Sequence, residues 1–284
     1  MAVYINIAYM TFDPTQLFVF FFLGAVVSYM VGCLGASSSV LYIPILFIAL
    51  PIVYPTQPEL LMPMVIATAT ASTIFSGVSS TSISFFAREV DTFTIAKQWP
   101  WLALGGVLGA AATYALQNYV SVFKGLFAIM LLANAWVVWR HFEPADDTVP
   151  IPANAFGGHW YTALAFIASG FGAGAQAYIL FLMKKRAQTG RTAIGTARSM
   201  NLISNGAAVI PYIYWSYSLP HVNAVAEGYF YLPAMAMFII TTLPFIYLGT
   251  VSSRHLPIRT IKKLYAVFMA MAGVWALVYA FVIA

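Results

Sequence analysis

The sequence predicts an all-α polytopic membrane protein, because its composition is incompatible with folding in water. Charged residues make up 7% of the chain and apolar residues 62%, and the mean hydropathy is +0.85. A soluble domain has about 25% charged and about 45–50% apolar residues. A chain of 284 residues cannot bury this excess in a core, so its surface has to face lipid. The length allows roughly 8–10 membrane segments, since each needs about 20 residues.

Apolar segments alternate with short polar stretches along the whole chain. A polar connector at 141–159 separates five segments from five, so we predict a single membrane domain, 1–284, with repeat one at 16–140 and repeat two at 160–284. The predicted segments are Gln16–Leu34, Ser37–Val53, Leu60–Phe86, Ala96–Leu116, Val120–Trp139, Trp160–Gly172, Gln176–Met183, Thr192–Trp215, Tyr229–Val251 and Ile261–Ile283.

Basic residues orient these segments. They cluster in alternate connections, and cytoplasmic loops of membrane proteins are enriched in Lys and Arg. We therefore predict a multi-pass protein of the cell inner membrane with both termini on the periplasmic side. This orientation gives the two five-segment halves opposite directions in the membrane. The basic residues concerned are Arg88, Lys97, Arg140, Lys184, Lys185, Arg186, Arg191, Arg254, Arg259, Lys262 and Lys263.

Internal sequence similarity also indicates two inverted repeats. Three stretches of the first half match stretches of the second half in the same order. Inverted repeats are typical of secondary transporters, whose substrate site lies at the repeat interface. The matching pairs are Gly35–Ser39 with Gly172–Gln176, Ile66–Ser76 with Ile194–Ser204, and Leu108–Leu116 with Leu248–Leu256.

Two segments of the pattern are too short to be ordinary spans. Trp160–Met183 has too few residues for two crossings and a turn. We expect a re-entrant hairpin there, with its tip at Gly172–Gln176. Its counterpart, Gln16–Val53, is longer and is either two thin spans or a hairpin, with its tip at Gly32–Ser39. Non-helical backbone is tolerated at membrane depth only where protein or water surrounds it. The alternative is that these glycines and serines simply allow helices to pack closely.

One buried charge predicts an anion site. Arg198 lies well inside a predicted span, and Asn201 and Asn205 follow on the same helix face. A guanidinium offers five donors in a planar fork, and carboxamides add neutral donors. We expect no carboxylate near this arginine, so the group is suited to a small anion. The alternative is that Arg198 extends toward the cytoplasmic headgroups.

Hydroxyl groups at the hairpin tips extend this predicted site. Ser37, Ser38 and Ser39 precede an apolar helix, whose first N–H groups are unpaired and attract anions. Gln176 occupies the matching place at the second tip. Thr68 and Thr196 stand at matched positions, where they either line the cavity or bond their own helix backbones.

The sequence lacks the residues that several other classes of protein require. All acidic residues and histidines lie at segment ends or in loops, and the sequence has no protease, lipid-hydrolase or nucleotide-binding motif. Cys33 is the sole cysteine, so no internal disulfide and no Cys-x-x-Cys motif exists. We expect no enzyme activity, no cofactor, no bound metal and no nucleic-acid partner. The expected partners are a small anion and the lipid bilayer, and the sequence is compatible with a homodimer.

The first hairpin tip also carries a family resemblance. The run Gly32–Pro44 resembles the signature G-x-x-G-x-G-G-G-x-x-x-x-P of the sulfite exporter TauE/SafE (TSUP) family, except that Ser37, Ser38 and Ser39 replace three glycines. The second half resembles a degenerate copy, with Ala175 and Gln176 and without the proline. The resemblance implies a carrier of sulfur-containing anions such as sulfite, thiosulfate, sulfoacetate or other organosulfonates, usually an exporter. It implies nothing about Arg198.

Together these observations predict a secondary transporter that exports a small sulfur-containing anion by alternating access. Two other hypotheses stay open. An anion channel of similar architecture would show flux that neither saturates nor exhibits counterflow. A non-transporting membrane scaffold or assembly factor would bind no anion and would tolerate the loss of Arg198.

Overall fold

The computed structural model describes residues 13–34, 37–53, 58–117, 119–141, 157–171, 190–217, 226–252, 255 and 258–282. Nine helices and one two-stranded antiparallel ribbon make up this part of the chain, which is all-α apart from the ribbon. The helices are α1 (Pro14–Leu34), α2 (Ser39–Val53), α3 (Pro58–Phe86), α4 (Thr92–Ala115), α5 (Val120–His141), α6 (Gly158–Phe171), α7 (Gly190–Ser216), α8 (Leu232–Ser252) and α9 (Ile258–Val282), and the strands are β1 (Ala226–Glu227) and β2 (Phe230–Tyr231).

The predicted segments within the described residues correspond to these helices to within about a turn. The predicted span that began at Tyr229 is the main difference, because the chain first forms the ribbon and α8 begins only at Leu232. Gln176–Met183 and the tip at Gly172–Gln176 lie outside the described residues.

The helices differ in their ability to cross a membrane. Four of the described spans are long and apolar enough to do so: Pro14–Cys33, Leu60–Phe86, Ser121–Arg140 and Leu232–Ser252. By contrast, α2 has 15 residues and α6 has 14. At 1.5 Å per residue both are about 21–23 Å long, shorter than the roughly 30 Å of hydrocarbon in a bilayer. The short α2 and α6 are compatible with incomplete crossings, but α1 is one of the four long spans, so a hairpin in the first half stays a prediction.

The helices pair across the two halves of the sequence. Each pair joins a helix of the first half to one of the second half. Here α1 packs along α8, α4 along α6, α5 along α9, and α3 against α7. The first helix of each predicted repeat therefore packs on the fourth helix of the other. Two inverted repeats would produce this pairing, although the repeat arrangement itself stays a prediction.

Glycines allow two of these pairs to touch backbone to backbone. A Cβ added at Gly249 in α8 would lie 2.2 Å from the carbonyl oxygen of Tyr29 in α1. A Cβ added at Gly109 in α4 would lie 2.5 Å from the carbonyl oxygen of Phe166 in α6. These two glycines occupy matched positions in the predicted repeats, so the same packing device serves both pairs.

We expect Gly249→Ala to lower the apparent melting temperature of the detergent-solubilised protein by several degrees. The new methyl group has to push α1 and α8 apart, and overpacking of this kind costs about 1–3 kcal/mol. Gly206→Ala is the matched control, because a Cβ there meets nothing within 4 Å and alanine favours the helix. Equal melting temperatures for the two variants would contradict the close contact of α1 and α8.

The described basic segments gather at one end of the bundle. The N–H of Asp91, before α4, donates to Thr196 Oγ1 near the start of α7 at 3.0 Å. The Lys263 Nζ, near the start of α9, lies 6.0 Å from the ring centroid of Trp139 at the end of α5. We call this the basic end. That it faces the cytoplasm stays a prediction.

Candidate functional site

The tip between α1 and α2 is a buried cluster of hydroxyl groups. Ser37, Ser38 and Ser39 are 4%, 1% and 2% exposed. The Ser38 carbonyl accepts the N–H groups of Leu41 and Tyr42, which starts the first turn of α2. Ser37 Oγ and Ser39 Oγ are 2.9 Å apart and share a hydrogen bond. The N-terminus of α2 therefore lies in the protein interior, surrounded by side-chain hydroxyls.

Two hydroxyls of α3 complete this cluster. Ser38 Oγ donates to Thr73 Oγ1 at 3.2 Å and shares a hydrogen bond of 2.5 Å with Ser76 Oγ. Sequence reasoning missed both residues. Ser and Thr are frequent along this helix, and the pattern alone does not distinguish those that face the tip from those that bond only their own helix.

The tip is joined to the second half of the chain by Asn201. Its Nδ2 donates to Ser37 Oγ at 3.1 Å, across 164 positions of sequence. One turn further along α7, Ser204 Oγ and Ser169 Oγ of α6 share a hydrogen bond of 2.9 Å. The structure thus brings Asn201 of α7 against the serines of the tip, which the sequence analysis assigned to the same site. Their role in binding stays a prediction.

Three buried polar atoms of α7 have no hydrogen-bond partner among the described residues. They are Asn201 Oδ1, Asn205 Nδ2 and Arg198 Nε, on side chains that are 3%, 2% and 8% exposed. Leaving a buried polar atom unpaired costs about 1–3 kcal/mol, so such atoms call for an explanation. Two of the three, Arg198 Nε and Asn205 Nδ2, are donors that lie about 10 Å apart along α7, so a small anion could accept from one of them at a time.

Arg198 itself lies nearer the basic end than the tip. Its Nη1 donates to Ser84 Oγ at 3.1 Å. Ser84 follows Ser76 by eight residues, or about 12 Å along α3. The guanidinium is directed toward the basic end, as the headgroup alternative required, but it is buried between helices. In this conformation Arg198 therefore bonds Ser84, about two helical turns from the serines of the tip.

The expectation that no carboxylate lies near Arg198 is wrong. Glu89 is close enough to interact electrostatically with the guanidinium. The sequence placed Glu89 in a connecting loop, but that loop folds back: Arg88 has a φ of 58°, and the Glu89 N–H donates to the Ser84 carbonyl. Gly195 permits this approach, since a Cβ there would lie 2.1 Å from the Glu89 carbonyl oxygen.

Thr68 and Thr196 form matching hydrogen bonds between the two halves, and whether they also line a cavity stays a prediction. Thr68 Oγ1 accepts the N–H of Tyr231, just before α8, at 2.9 Å. Thr196 Oγ1 accepts the N–H of Asp91, just before α4, at 3.0 Å. Each threonine therefore holds the start of a helix that belongs to the other half of the chain. Neither of the two alternatives drawn from the sequence, cavity lining or bonding to the residue's own helix, included this bond.

We expect Thr68→Val and Thr196→Val each to destabilise the protein by about 1–3 kcal/mol, because each removes the acceptor of an N–H group at a helix start. Valine has nearly the same shape, so packing is preserved. The measurement is the apparent melting temperature in detergent. Thr241→Val is the control, since Thr241 Oγ1 bonds only carbonyls of its own helix. A loss of the same size in the control would contradict this assignment.

The remaining predicted site residue, Gln176, lies outside the described residues. In the part of the chain that the structure describes, no group of three His, Cys, Asp or Glu side chains could hold a metal ion. The described groups at the tip offer hydrogen bonds from neutral side chains, and Arg198 is the nearest buried cation among the described side chains.

Comparison with known proteins decides the family. The model of the family "Sulfite exporter TauE/SafE" matches residues 20–276. The chain belongs to the TauE/SafE family. A curated relative, "Probable membrane transporter protein" of Haemophilus influenzae, is 22% identical over 251 residues, which cover 88% of this chain and 94% of the relative. No solved structure matches. This TauE/SafE protein is thus a multi-pass membrane transporter.

Proposed function

We propose that this TauE/SafE protein exports a small sulfur-containing anion, such as sulfite, thiosulfate or an organosulfonate, across the inner membrane by alternating access. The observation that carries the proposal is the contact of Asn201 with Ser37. It joins the two halves of the chain at a buried cluster of hydroxyl groups, and Asn205, whose Nδ2 has no partner, follows one turn further along α7. The family description and the name of the relative support the same class of protein.

The chemistry of the tip suits an oxyanion. The hydroxyls of Ser37, Ser38, Thr73 and Ser76 bond one another, and each can rotate toward a bound oxygen. The N-terminus of α2 adds a partial charge equivalent to about half a proton. Asn205 Nδ2 supplies a further donor, and no buried carboxylate occurs among the described residues. A sulfur oxyanion would find donors here and little repulsion.

Arg198 would collect the anion from the basic end. The bonds of Ser84 with Arg198 and of Asp91 with Thr196 link the two halves there. Parting of these bonds would open a path from the basic end to the tip, and their return would close it. A negative-inside potential of 100 mV favours the exit of a single negative charge by about 2.3 kcal/mol, which supports the export direction.

Counterflow in proteoliposomes tests the proposal. Vesicles with purified protein would be loaded with unlabelled sulfite, thiosulfate, sulfoacetate or sulfate, and uptake of the same radiolabelled anion would be measured. We expect saturable uptake of at least one anion, accelerated by the anion inside. Flux without saturation or counterflow would indicate a channel, and no flux above protein-free vesicles would favour the scaffold hypothesis.

A further inference from the structure

The charges around the tip limit the charge of the anion that it can hold. Among the side chains that the structure describes, Arg198 is the only charged one that is buried. The described groups that meet at the tip are neutral: Ser37, Ser38, Ser39, Thr73, Ser76 and Asn201. The described part of the site therefore combines neutral donors with one helix N-terminus, and the one buried cation described lies about two helical turns away.

A second negative charge would be poorly compensated in such a site. The cost of moving an ion from water into a medium of low dielectric rises with the square of its charge, and opposite charges nearby have to offset it. The N-terminus of α2 and Arg198 together supply about one and a half positive charges. Neutral donors solvate a monoanion adequately, but a dianion loses far more hydration than this site restores.

Glu89 reduces the available positive charge further. Its carboxylate interacts electrostatically with Arg198, and its main chain is held against Gly195. Of the other charged groups of this connection and the start of α4, Arg88 and Lys97 are exposed, and the half-buried Asp91 carboxylate accepts hydrogen bonds from Thr94. An anion that passes Arg198 therefore meets a cation whose charge Glu89 already balances in part.

We infer that this transporter selects singly charged sulfur oxyanions, namely hydrogensulfite and sulfonates, over the dianions sulfite, sulfate and thiosulfate, and that Glu89 contributes to the selection. This inference rests on the proposed function and narrows its substrate class. The charge of the anion determines whether it is transported, and the presence of sulfur does not. Thiosulfate and sulfate are therefore poor substrates, although they resemble sulfite in size.

The pH dependence of two substrates tests this inference. Sulfite loses its second proton near neutral pH, whereas methanesulfonate stays a monoanion throughout. Uptake of each would be measured in proteoliposomes with the same pH on both sides, from pH 6 to pH 9. Above the second ionisation, the sulfite rate at fixed total concentration should fall by about tenfold per pH unit. The methanesulfonate rate should change less than about twofold. Because the charge of methanesulfonate is constant, any change in its rate measures titration of the protein itself.

The outcomes separate this inference from the proposed function. Sulfite uptake that rises with pH, or sulfate uptake as fast as that of methanesulfonate, would overturn the selection of monoanions. Either result would still support the proposed function, the transport of sulfur-containing anions. Absence of flux for every anion would overturn the proposed function and the inference with it.

Glu89→Gln tests the contribution of the carboxylate. Removal of its charge should raise the ratio of sulfate to methanesulfonate uptake severalfold, because Arg198 is then uncompensated. Glu227→Gln is the matched control: it makes the same change at an exposed carboxylate of the ribbon, away from the proposed path. We expect the ratio to stay unchanged in this control. An unchanged ratio in Glu89→Gln, or an equal rise in Glu227→Gln, would overturn the role of Glu89.

Discussion

Replacement of Arg198 by glutamine should lower uptake at low substrate concentration by about a hundredfold or more. Truncation of a buried group that contacts a charged ligand costs about 2–5 kcal/mol, and each 1.4 kcal/mol is a factor of about ten. Glutamine can still bond Ser84, the present partner of Arg198, and it removes a buried charge instead of adding one. We therefore expect the variant to elute from a sizing column like the wild type, so that lost uptake reflects function and not misfolding.

Two further variants show why Arg198 matters. Arg198→Lys keeps the charge but loses the planar fork, so uptake should fall less than in Arg198→Gln if attraction is the main effect. Lys124→Gln is the control, because Lys124 is a half-buried cation on α5, which packs along α9. We expect near-normal uptake in this control. Wild-type uptake in Arg198→Gln would contradict the role of Arg198 on the anion path.

The fold class followed from composition, because a chain this apolar has few ways to satisfy its backbone hydrogen bonds outside helices. Helix ends were predictable to within about a turn wherever a polar connection separated two apolar runs, as before α3 and after α5. The ribbon before α8 was not predictable. Its second strand, Phe230–Tyr231, is as apolar as the helix that follows, so hydropathy alone shows no boundary there.

The candidate site was predictable in part. Serines that precede an apolar helix and polar residues spaced along one face of α7 are visible in the sequence, and Asn201 and Ser37 do meet. The partners on α3 were not visible, because Thr73 and Ser76 lie among many similar hydroxyls. Glu89 was missed for a different reason: its approach to Arg198 depends on the turn at Arg88 and on contact with Gly195, which are tertiary features.

The second large effect is expected at Asn201. Asn201→Asp should lower uptake of every anion by more than about a hundredfold, because a carboxylate at the tip repels the substrate. The change is nearly isosteric, and the Ser37 hydroxyl, which now accepts from Asn201 Nδ2, could instead donate to the new carboxylate. The tip should therefore keep its structure while its charge changes. Uptake of radiolabelled anion and thermal stability would be measured on the same preparation.

Comparison with two other variants separates charge from the loss of a contact. Asn201→Ala removes the bond to Ser37 without adding charge, so we expect a loss of about tenfold, the equivalent of one hydrogen bond. Asn134→Asp introduces the same change at an equally buried position of α5, and there it should affect stability but not the uptake of folded protein. If Asn201→Asp is no worse than Asn201→Ala, the anion does not reach the tip. If it is far worse, and Asn134→Asp transports normally, the tip is where the negative charge of the substrate is held.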